Sequence, residues 1–232
     1  MLIGGLEKCS MVDFPSYVSA VIFTQGCNFR CGYCYNPELV YPTLFKESIS
    51  EKAVLDFLKN RKGKLGGVVI TGGEPTIQEN LIPFIYRVRD MGFKVKLDTN
   101  GSNPEILDSI IGLKIVDYFA MDIKGTLEKY SNIACSAINS QKIKKSIKLI
   151  MNSGVDYEFR TTVIKSQLSK SDFKKIGKII QGARLYALQK FVIPSEYKIN
   201  NQKFLREKTY SGREFKEIQR IMKKFVEKCI IR

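Results

Sequence analysis

The sequence predicts an α/β fold, an incomplete TIM-like barrel of six strand–helix units, (βα)6. Apolar, β-branched runs alternate with longer segments of helical periodicity along almost the whole chain. Connections between parallel strands are right-handed, so six such units curl into a barrel or an arc of one. No low-complexity stretch or abrupt change of composition interrupts the 232 residues, 44% of which are hydrophobic. We therefore expect residues 1–232 to form a single domain.

Six segments have the short, β-branched composition of buried parallel strands. The predicted strands cover residues 18–24, 68–71, 93–98, 115–122, 157–164 and 185–193. One helix is predicted after each strand, over residues 50–61, 78–91, 104–111, 142–151, 171–180 and 212–229. Ser50 and Ser171 are the predicted N-caps of the first and fifth helices, and Gly92 closes the second. Residues 127–140 are predicted to be an irregular surface loop.

The composition predicts a cytoplasmic protein. No run of about 18 apolar residues suggests a membrane span, and the first ten residues lack the apolar stretch of a signal peptide. The formal charge of +15, from 38 Lys and Arg against 23 Asp and Glu, permits nucleic-acid or acidic-protein partners. The favoured alternative is that lysine-rich helix faces keep the protein soluble, because a basic balance alone is common. A nucleic-acid partner is not expected, because no aromatic and basic stacking surface is evident.

Three cysteines at CxxxCxxC spacing, Cys27, Cys31 and Cys34, form the most informative motif. A closed structural zinc site needs four protein ligands, usually in two separate pairs. A cubane iron–sulfur cluster held by three thiolates instead leaves one iron open for another ligand. The chain contains no histidine, so the usual substitute ligand is absent. The spacing therefore indicates a metal site with one open position. Cys135 and Cys229 are predicted to be small buried apolar residues.

Every other unusual polar cluster follows a predicted strand. Residues 71–75 read Thr-Gly-Gly-Glu-Pro, residues 98–101 read Asp-Thr-Asn-Gly, and residues 122–124 read Asp-Ile-Lys. Arg160 lies within the fifth strand, and residues 191–194 end the sixth. Each cluster alone could be an ordinary turn. Because the carboxyl ends of parallel strands share one rim, their joint placement beside the cysteines predicts a functional site there.

The chain resembles the radical S-adenosylmethionine (AdoMet) superfamily. The resemblance rests on the cysteine spacing with Tyr33 before the third cysteine, on Gly-Gly-Glu-Pro, and on the Asp-Thr-Asn-Gly and Asp-Ile-Lys clusters, and it covers nearly the full chain. Residues 5–15, 25–31 and 36–40 are similar to the glycyl-radical-enzyme activases, above all those of anaerobic ribonucleotide reductase, with those of pyruvate formate-lyase also related. The family commonly has histidine where this chain has Tyr35.

The resemblance implies a [4Fe–4S] cluster on Cys27, Cys31 and Cys34, with AdoMet chelating the fourth iron through its amino and carboxylate groups. One electron from a donor such as flavodoxin or ferredoxin would cleave AdoMet, and the product radical would take a hydrogen atom from a glycine of a partner enzyme. The implied AdoMet-binding residues are Gly72, Gly73, Glu74, Asn100, Lys124 and Arg160. Among these, Glu74 would orient the loop, while Lys124 and Arg160 would neutralise the methionine carboxylate.

Asp98 and Asp122 match positions where the formate-lyase branch binds a monovalent cation beside AdoMet. Carboxylate oxygens suit such a cation. The alternative for both aspartates is strand-end solvation or helix capping, and for Arg160 it is a salt bridge inside the barrel.

Two rival functions stay open. One is a radical AdoMet enzyme that modifies a small molecule or RNA. The other is a zinc-binding or electron-transfer module, in which Cys9 is the only serious candidate for a fourth ligand because it shortly precedes the first predicted strand.

Overall fold

The structure of the protein is a computed structural model that describes residues 1–192, 204 and 206–232. Over these residues the chain forms one eight-stranded sheet in sequential order. Its strands are β1 Ile3–Ser10, β2 Ser19–Thr24, β3 Gly67–Gly72, β4 Lys94–Thr99, β5 Tyr118–Asp122, β6 Asp156–Val163, β7 Leu185–Lys190 and β8 Lys228–Ile231. The helices are α1 Glu51–Lys59, α2 Leu81–Asp90, α3 Pro104–Leu113, α4 Tyr130–Ala134, α5 Ser140–Met151, α6 Lys170–Ile179 and α7 Gly212–Met222.

The six predicted strand–helix units are confirmed. Strands β2 to β7 are parallel, lie in chain order, and are each followed by at least one helix. The sheet gains a strand at each edge, with β1 antiparallel to β2 and β8 parallel to β7. The result is an open sheet whose parallel strands all end at the same rim.

The two faces of the sheet have different chemistry. On the outer face, alternate residues such as Ile22, Ile70 and Leu97 join the large core formed with the helices. On the inner face, Val21 and Val69 belong to a small separate core, which Phe14 from the β1–β2 loop completes. The strict alternation follows from the two-residue period of a strand. The inner face beyond this small core is therefore left for polar side chains.

Two predicted elements and the predicted burial of one cysteine differ from the structure. The last helix ends at Met222 rather than at residue 229, and Cys229 is buried in β8. Residues 127–140 contain the short helix α4, which buries Tyr130 and Ile133 against the core. Cys135 ends that helix and is exposed, so its predicted burial is wrong. Its left-handed conformation, with φ of 48°, explains why the helix stops there.

The N-cap of α6 is Ser169 and not Ser171. The carboxylate of Asp172 accepts from the backbone N–H of Ser169 at 2.8 Å and from its hydroxyl at 2.8 Å. The other predicted caps are confirmed. Ala53 donates its N–H to the hydroxyl of Ser50 at 3.2 Å, and Gly92 follows α2 with a φ of 92°.

We expect Ser169→Ala to lower the free energy of unfolding by about 1 kcal/mol, because the first turn of α6 loses its cap. Ser171→Ala is the matched control and should change it by less than about 0.5 kcal/mol. Anaerobic urea titrations of both variants measure the difference. A larger loss in the Ser171 variant would contradict the assignment of the cap.

No helix among the described residues is long and apolar enough to cross a membrane.

Candidate active site

A cavity of about 700 Å³ lies at the carboxyl ends of the parallel strands. This volume is in the range of small-ligand sites in proteins. All of the site residues predicted from the sequence line it: Cys27, Cys31, Cys34, Gly72, Gly73, Glu74, Asp98, Asn100, Asp122, Lys124 and Arg160. The motifs at the ends of the strands therefore lie around one cavity, as the sequence predicts.

The cysteine loop follows β2 and is tied to its neighbours by hydrogen bonds. Asn28 donates to the hydroxyl of Ser102 at 2.7 Å and accepts from the side chain of Asn100 at 2.9 Å. The N–H of Arg30 donates to the carbonyl of Ala134 at the end of α4, at 2.8 Å. These contacts connect the loop that carries the three cysteines to the β4–α3 loop and to the end of α4.

Two thiols of this loop, those of Cys27 and Cys31, are poorly suited to ionise alone. Burial raises the pKa of Cys27 to about 12, and the nearby carboxylate of Glu74 adds to the effect. Burial likewise raises the pKa of Cys31 to about 11, against the opposing influence of Lys124. A metal ion or cluster that binds here supplies the positive charge that stabilises the thiolates. Three thiols from one short loop, facing a cavity that has room for a further ligand, fit a [4Fe–4S] cluster with one open iron.

The end of β3 lies in close backbone contact with the cysteine loop. Gly73 donates its N–H to the carbonyl of Thr24, and Glu74 donates to that of Gly26, both at 2.8 Å. A Cβ atom on Gly73 would lie 1.9 Å from the carbonyl oxygen of Gly26. On Gly72, whose φ is 108°, a Cβ would lie 2.3 Å from the backbone nitrogen of Thr24. Both positions therefore require glycine.

We expect Gly73→Ala to displace the cysteine loop and to lower the iron bound per chain. The clash is with backbone, which cannot move aside as a side chain can, so the cost in folding free energy should reach at least about 3 kcal/mol. Gly112→Ala is the control, because no atom lies within 4 Å of its added Cβ. Iron analysis and urea titration of both proteins measure the effects. Equal iron contents and equal stabilities would contradict this role for Gly73.

The carboxylate of Glu74 connects the end of β3 to the end of β4. Its buried carboxylate accepts from the hydroxyls of Thr76 at 2.6 Å and Thr99 at 2.7 Å, and from the N–H of Asn100 at 2.6 Å. Burial raises the pKa of Glu74, and these donors offset only part of that rise. Both carboxylate oxygens of Glu74 are thus bound to protein donors, and its role in orienting the loop stays a prediction.

A chain of five charged groups crosses the inner face of β4, β5 and β6. Arg160 donates to Asp122 at 2.8 Å and to Asp98 at 3.0 Å. Lys96 donates to Asp98 at 2.6 Å, and Lys124 donates to Asp122 at 3.0 Å. Asp98, Asp122, Lys124 and Arg160 line the cavity, so this part of the charged chain exposes two cations and two carboxylates to it.

The pKa values of the two aspartates reflect these pairings. Burial alone would raise the pKa of Asp122, but Arg160 and Lys124 outweigh it and lower that pKa to about 2. Arg160 and Lys96 likewise outweigh burial and hold the pKa of Asp98 below its usual range. Both carboxyl groups are therefore ionised at neutral pH. Arg160 forms salt bridges inside the sheet, as the alternative interpretation predicts. The binding of a monovalent cation by Asp98 and Asp122 stays a prediction.

Aromatic side chains form the wall beside the third cysteine. Tyr35 stacks on Phe191 with ring centres 5.8 Å apart, and its hydroxyl accepts from the N–H of Val192 at 2.8 Å. Lys124 lies 5.8 Å from the ring centre of the buried Tyr33. Residues 191–194 end the sixth predicted strand. Of these, 191 and 192 line this wall, and 193 and 194 lie outside the described residues. Tyr35 thus ties the cysteine loop to the end of β7.

The structure places Cys9 away from the cysteine loop. Cys9 lies in β1 beside Ser10, which pairs with Ser19 at the start of β2, whereas Cys27 follows the end of β2. The six residues of β2 separate these points by about 17 Å. Cys9 as a fourth ligand is therefore wrong.

The sequence reasoning missed three residues that shape the site. Lys96 is 2% exposed on the inner face, where its position two residues before Asp98 in the same strand was a usable signal. No sequence pattern indicates the hydrogen bonds of Asn28 to the β4–α3 loop and of Tyr35 to Val192. Both depend on how loops that are distant in the sequence meet in the fold.

The sequence is similar to those of known proteins. The family model of the radical SAM superfamily matches residues 21–176. A protein of Methanocaldococcus jannaschii, assigned by its name to the glycyl-radical enzyme activating enzymes, is 33% identical over 239 residues, which cover 100% of this chain and 95% of that protein. The pyruvate formate-lyase-activating enzyme of Clostridium pasteurianum is 29% identical over 189 residues, covering 78% of this chain and 77% of its own.

Solved structures show the same fold. Streptococcus suis SuiB bound to S-adenosylmethionine superposes with a TM-score of 0.63 at 16% identity, over 88% of this chain and 46% of SuiB. The chain thus spans less than half the length of that protein. The structure of anSMEcpe with bound AdoMet gives a TM-score of 0.62 at 14% identity, over 87% of this chain and 57% of its own. Both matches bear on the fold of the sheet and helices.

Proposed function

The chain belongs to the radical SAM superfamily, and from that premise we propose that it activates a glycyl radical enzyme, with anaerobic ribonucleotide reductase as the partner. The observation that carries the proposal is the shared cavity, which is lined by the three cysteines, by Gly72 and Gly73 at the end of β3, and by the ion-paired Asp98, Asp122, Lys124 and Arg160. Enzymes of the superfamily use a [4Fe–4S] cluster and AdoMet. When bound, these cofactors supply the one-electron chemistry that removes a hydrogen atom from the substrate.

Each part of the cavity has a role in this proposal. Cys27, Cys31 and Cys34 would hold the cluster. Gly72 and Gly73 would lie beside the methionine part, and Asn100 keeps the cysteine loop in place through Asn28. Lys124 and Arg160 would attract the methionine carboxylate, with Asp98 and Asp122 as the counter-ions that keep Arg160 in place.

The open sheet supports a protein substrate. Over the described residues, the sheet has two edges and does not close into a barrel. A glycine on a loop of a large partner could therefore reach the cavity from the open side. Similarity of residues 5–15 and 36–40 to the ribonucleotide-reductase activases supports that partner. Similarity to the Clostridium pasteurianum enzyme supports pyruvate formate-lyase as a second candidate.

The test is an anaerobic incubation of the dithionite-reduced protein with AdoMet and each candidate enzyme in turn. Electron paramagnetic resonance should then detect a glycyl radical on the ribonucleotide reductase. A radical on pyruvate formate-lyase alone would transfer the assignment to the second candidate. Cleavage of AdoMet with no radical on either protein would contradict the activase function and favour the small-molecule or RNA alternative.

A further inference from the structure

Asp98 and Asp122, the residues at which the sequence predicts a monovalent cation, are already paired with cations of the chain itself. Asp98 accepts from the ammonium of Lys96 at 2.6 Å through Oδ1 and from Arg160 at 3.0 Å through Oδ2. Asp122 accepts from Arg160 at 2.8 Å through Oδ1 and from Lys124 at 3.0 Å through Oδ2. Each of the four carboxylate oxygens therefore has a cationic side chain as its partner.

A monovalent metal ion does not fit this arrangement. Such an ion would need carboxylate oxygens that are free to coordinate it. The guanidinium of Arg160 donates to both carboxylates, so it occupies the position between them. An ion that contacted both Asp98 and Asp122 would lie against this guanidinium, and like charges at such a short distance repel each other.

The buried charge of Lys96 has no evident purpose in the fold alone. Lys96 is 2% exposed, and its neighbours in register are Val69 of β3 and Tyr118 of β5, both members of the small inner core. Burial of an ammonium group is costly unless the group is paired, and an apolar side chain of similar volume often serves a core equally well. We therefore expect the charge of Lys96 to serve the site, where it reaches Asp98 in the same strand.

We propose that the ammonium group of Lys96 takes the place of the monovalent cation, so that this protein binds AdoMet without potassium or sodium. An ammonium group is a compact single positive charge, as such an ion is, but it stays attached to the chain. Because it binds Oδ1 of Asp98, it fixes that carboxylate with Oδ2 towards Arg160, which is proposed to attract the methionine carboxylate. Lys96 is thus a positioning residue. The inference rests on the proposed function only in that AdoMet binds in this cavity.

The test measures AdoMet binding by the anaerobically reconstituted protein in potassium, sodium and choline chloride at one ionic strength. Calorimetry gives the Kd in each salt for the parent, for Lys96→Ala and for Lys94→Ala. Truncation of Lys96 leaves a space beside Asp98 that a potassium ion can enter and that choline is too large to enter. Lys94→Ala is the matched control, because Lys94 lies in the same strand but pairs with Asp117 at a half-exposed position.

We expect the Kd of the parent and of Lys94→Ala to change by less than about twofold among the three salts. Lys96→Ala should bind AdoMet about tenfold or more weakly than the parent in choline. Potassium should restore most of this loss, because the ion then replaces the missing positive charge beside Asp98.

A parent that binds AdoMet about tenfold more weakly in choline than in potassium would overturn the proposal, since an added cation would then be part of the site. Full affinity of Lys96→Ala in choline, or a loss that potassium does not reverse, would overturn it as well. If Lys96→Ala does not fold, the response of the parent to potassium decides alone. Failure of the proposed function shows separately, as a parent protein that binds AdoMet but forms no glycyl radical on either candidate enzyme.

Discussion

The Cys31→Ala protein is expected to fold but to retain no [4Fe–4S] cluster after anaerobic reconstitution. Cys31 is one of three thiols that face the cavity, and the chain contains no histidine to replace it. A cluster on two cysteines would expose two irons to solvent and be lost. The loop itself should keep its place, because Asn28 and Arg30 hold it through contacts that do not involve the thiol.

Iron and sulfide analysis, visible absorption and circular dichroism measure this outcome. Cys135→Ser is the stringent control, since Cys135 is an exposed cysteine at the end of α4, beside the cysteine loop. It should retain the full complement of iron. A Cys31→Ala protein with as much iron as the parent would contradict the assignment of the three ligands.

Arg160→Met is expected to lower the free energy of unfolding by about 3–5 kcal/mol at pH 7, the usual cost of breaking a buried ion pair by removing one partner. Asp98 and Asp122 would each keep only one lysine in place of two cations. Because Lys124 and Arg160 are proposed to attract the methionine carboxylate, AdoMet should also bind more weakly. Urea titration and calorimetric AdoMet binding measure the two effects.

The stability loss should depend on pH. The pKa of Asp122 is about 2 in the folded protein, below the value of about 3.9 for an unfolded aspartate. A lowered carboxyl pKa contributes stability that is present above pH 4 and is lost as the pH falls towards 2. The difference between the variant and the parent should therefore shrink over that range. Arg89→Met, which removes a partly exposed pair with Asp117, should cost about 1 kcal/mol or less. Equal losses in the two variants would contradict a special role for Arg160.

The alternation of strands and helices could be predicted from the sequence because each buried parallel strand carries its own signal. The two edge strands could not. Strand β1 contains Gly4, Gly5 and charged residues, and only its pairing with β2 makes it a strand. Strand β8 lies partly inside the last predicted helix, because Phe225 and Cys229 continue the apolar spacing of α7. Local patterns of burial cannot tell a helix from a short strand in such a stretch.

The candidate site, like the fold, was only partly predictable from the sequence. Its rim position and the residues that line it follow from motifs at the ends of strands, and these were predictable. The pairings were not, because they depend on register. Asp122 lies opposite Arg160 only because β5 pairs with β6 in that alignment. Lys96 joins the chain of charges because the inner face of β4 carries it beside Asp98. Register between distant strands is a tertiary property that no single segment encodes.

In the proposed function, a hydrogen atom is taken in this cavity from a glycine of a partner protein. The most direct measurement uses a ribonucleotide reductase that carries deuterium on the Cα atoms of its glycines, incubated anaerobically with the reduced protein and AdoMet. Mass spectrometry of the 5′-deoxyadenosine then reports the source of the abstracted atom. We expect deuterium in the 5′-deoxyadenosine together with a glycyl radical on the reductase. Unlabelled 5′-deoxyadenosine, formed while the reductase carries no radical, would contradict it.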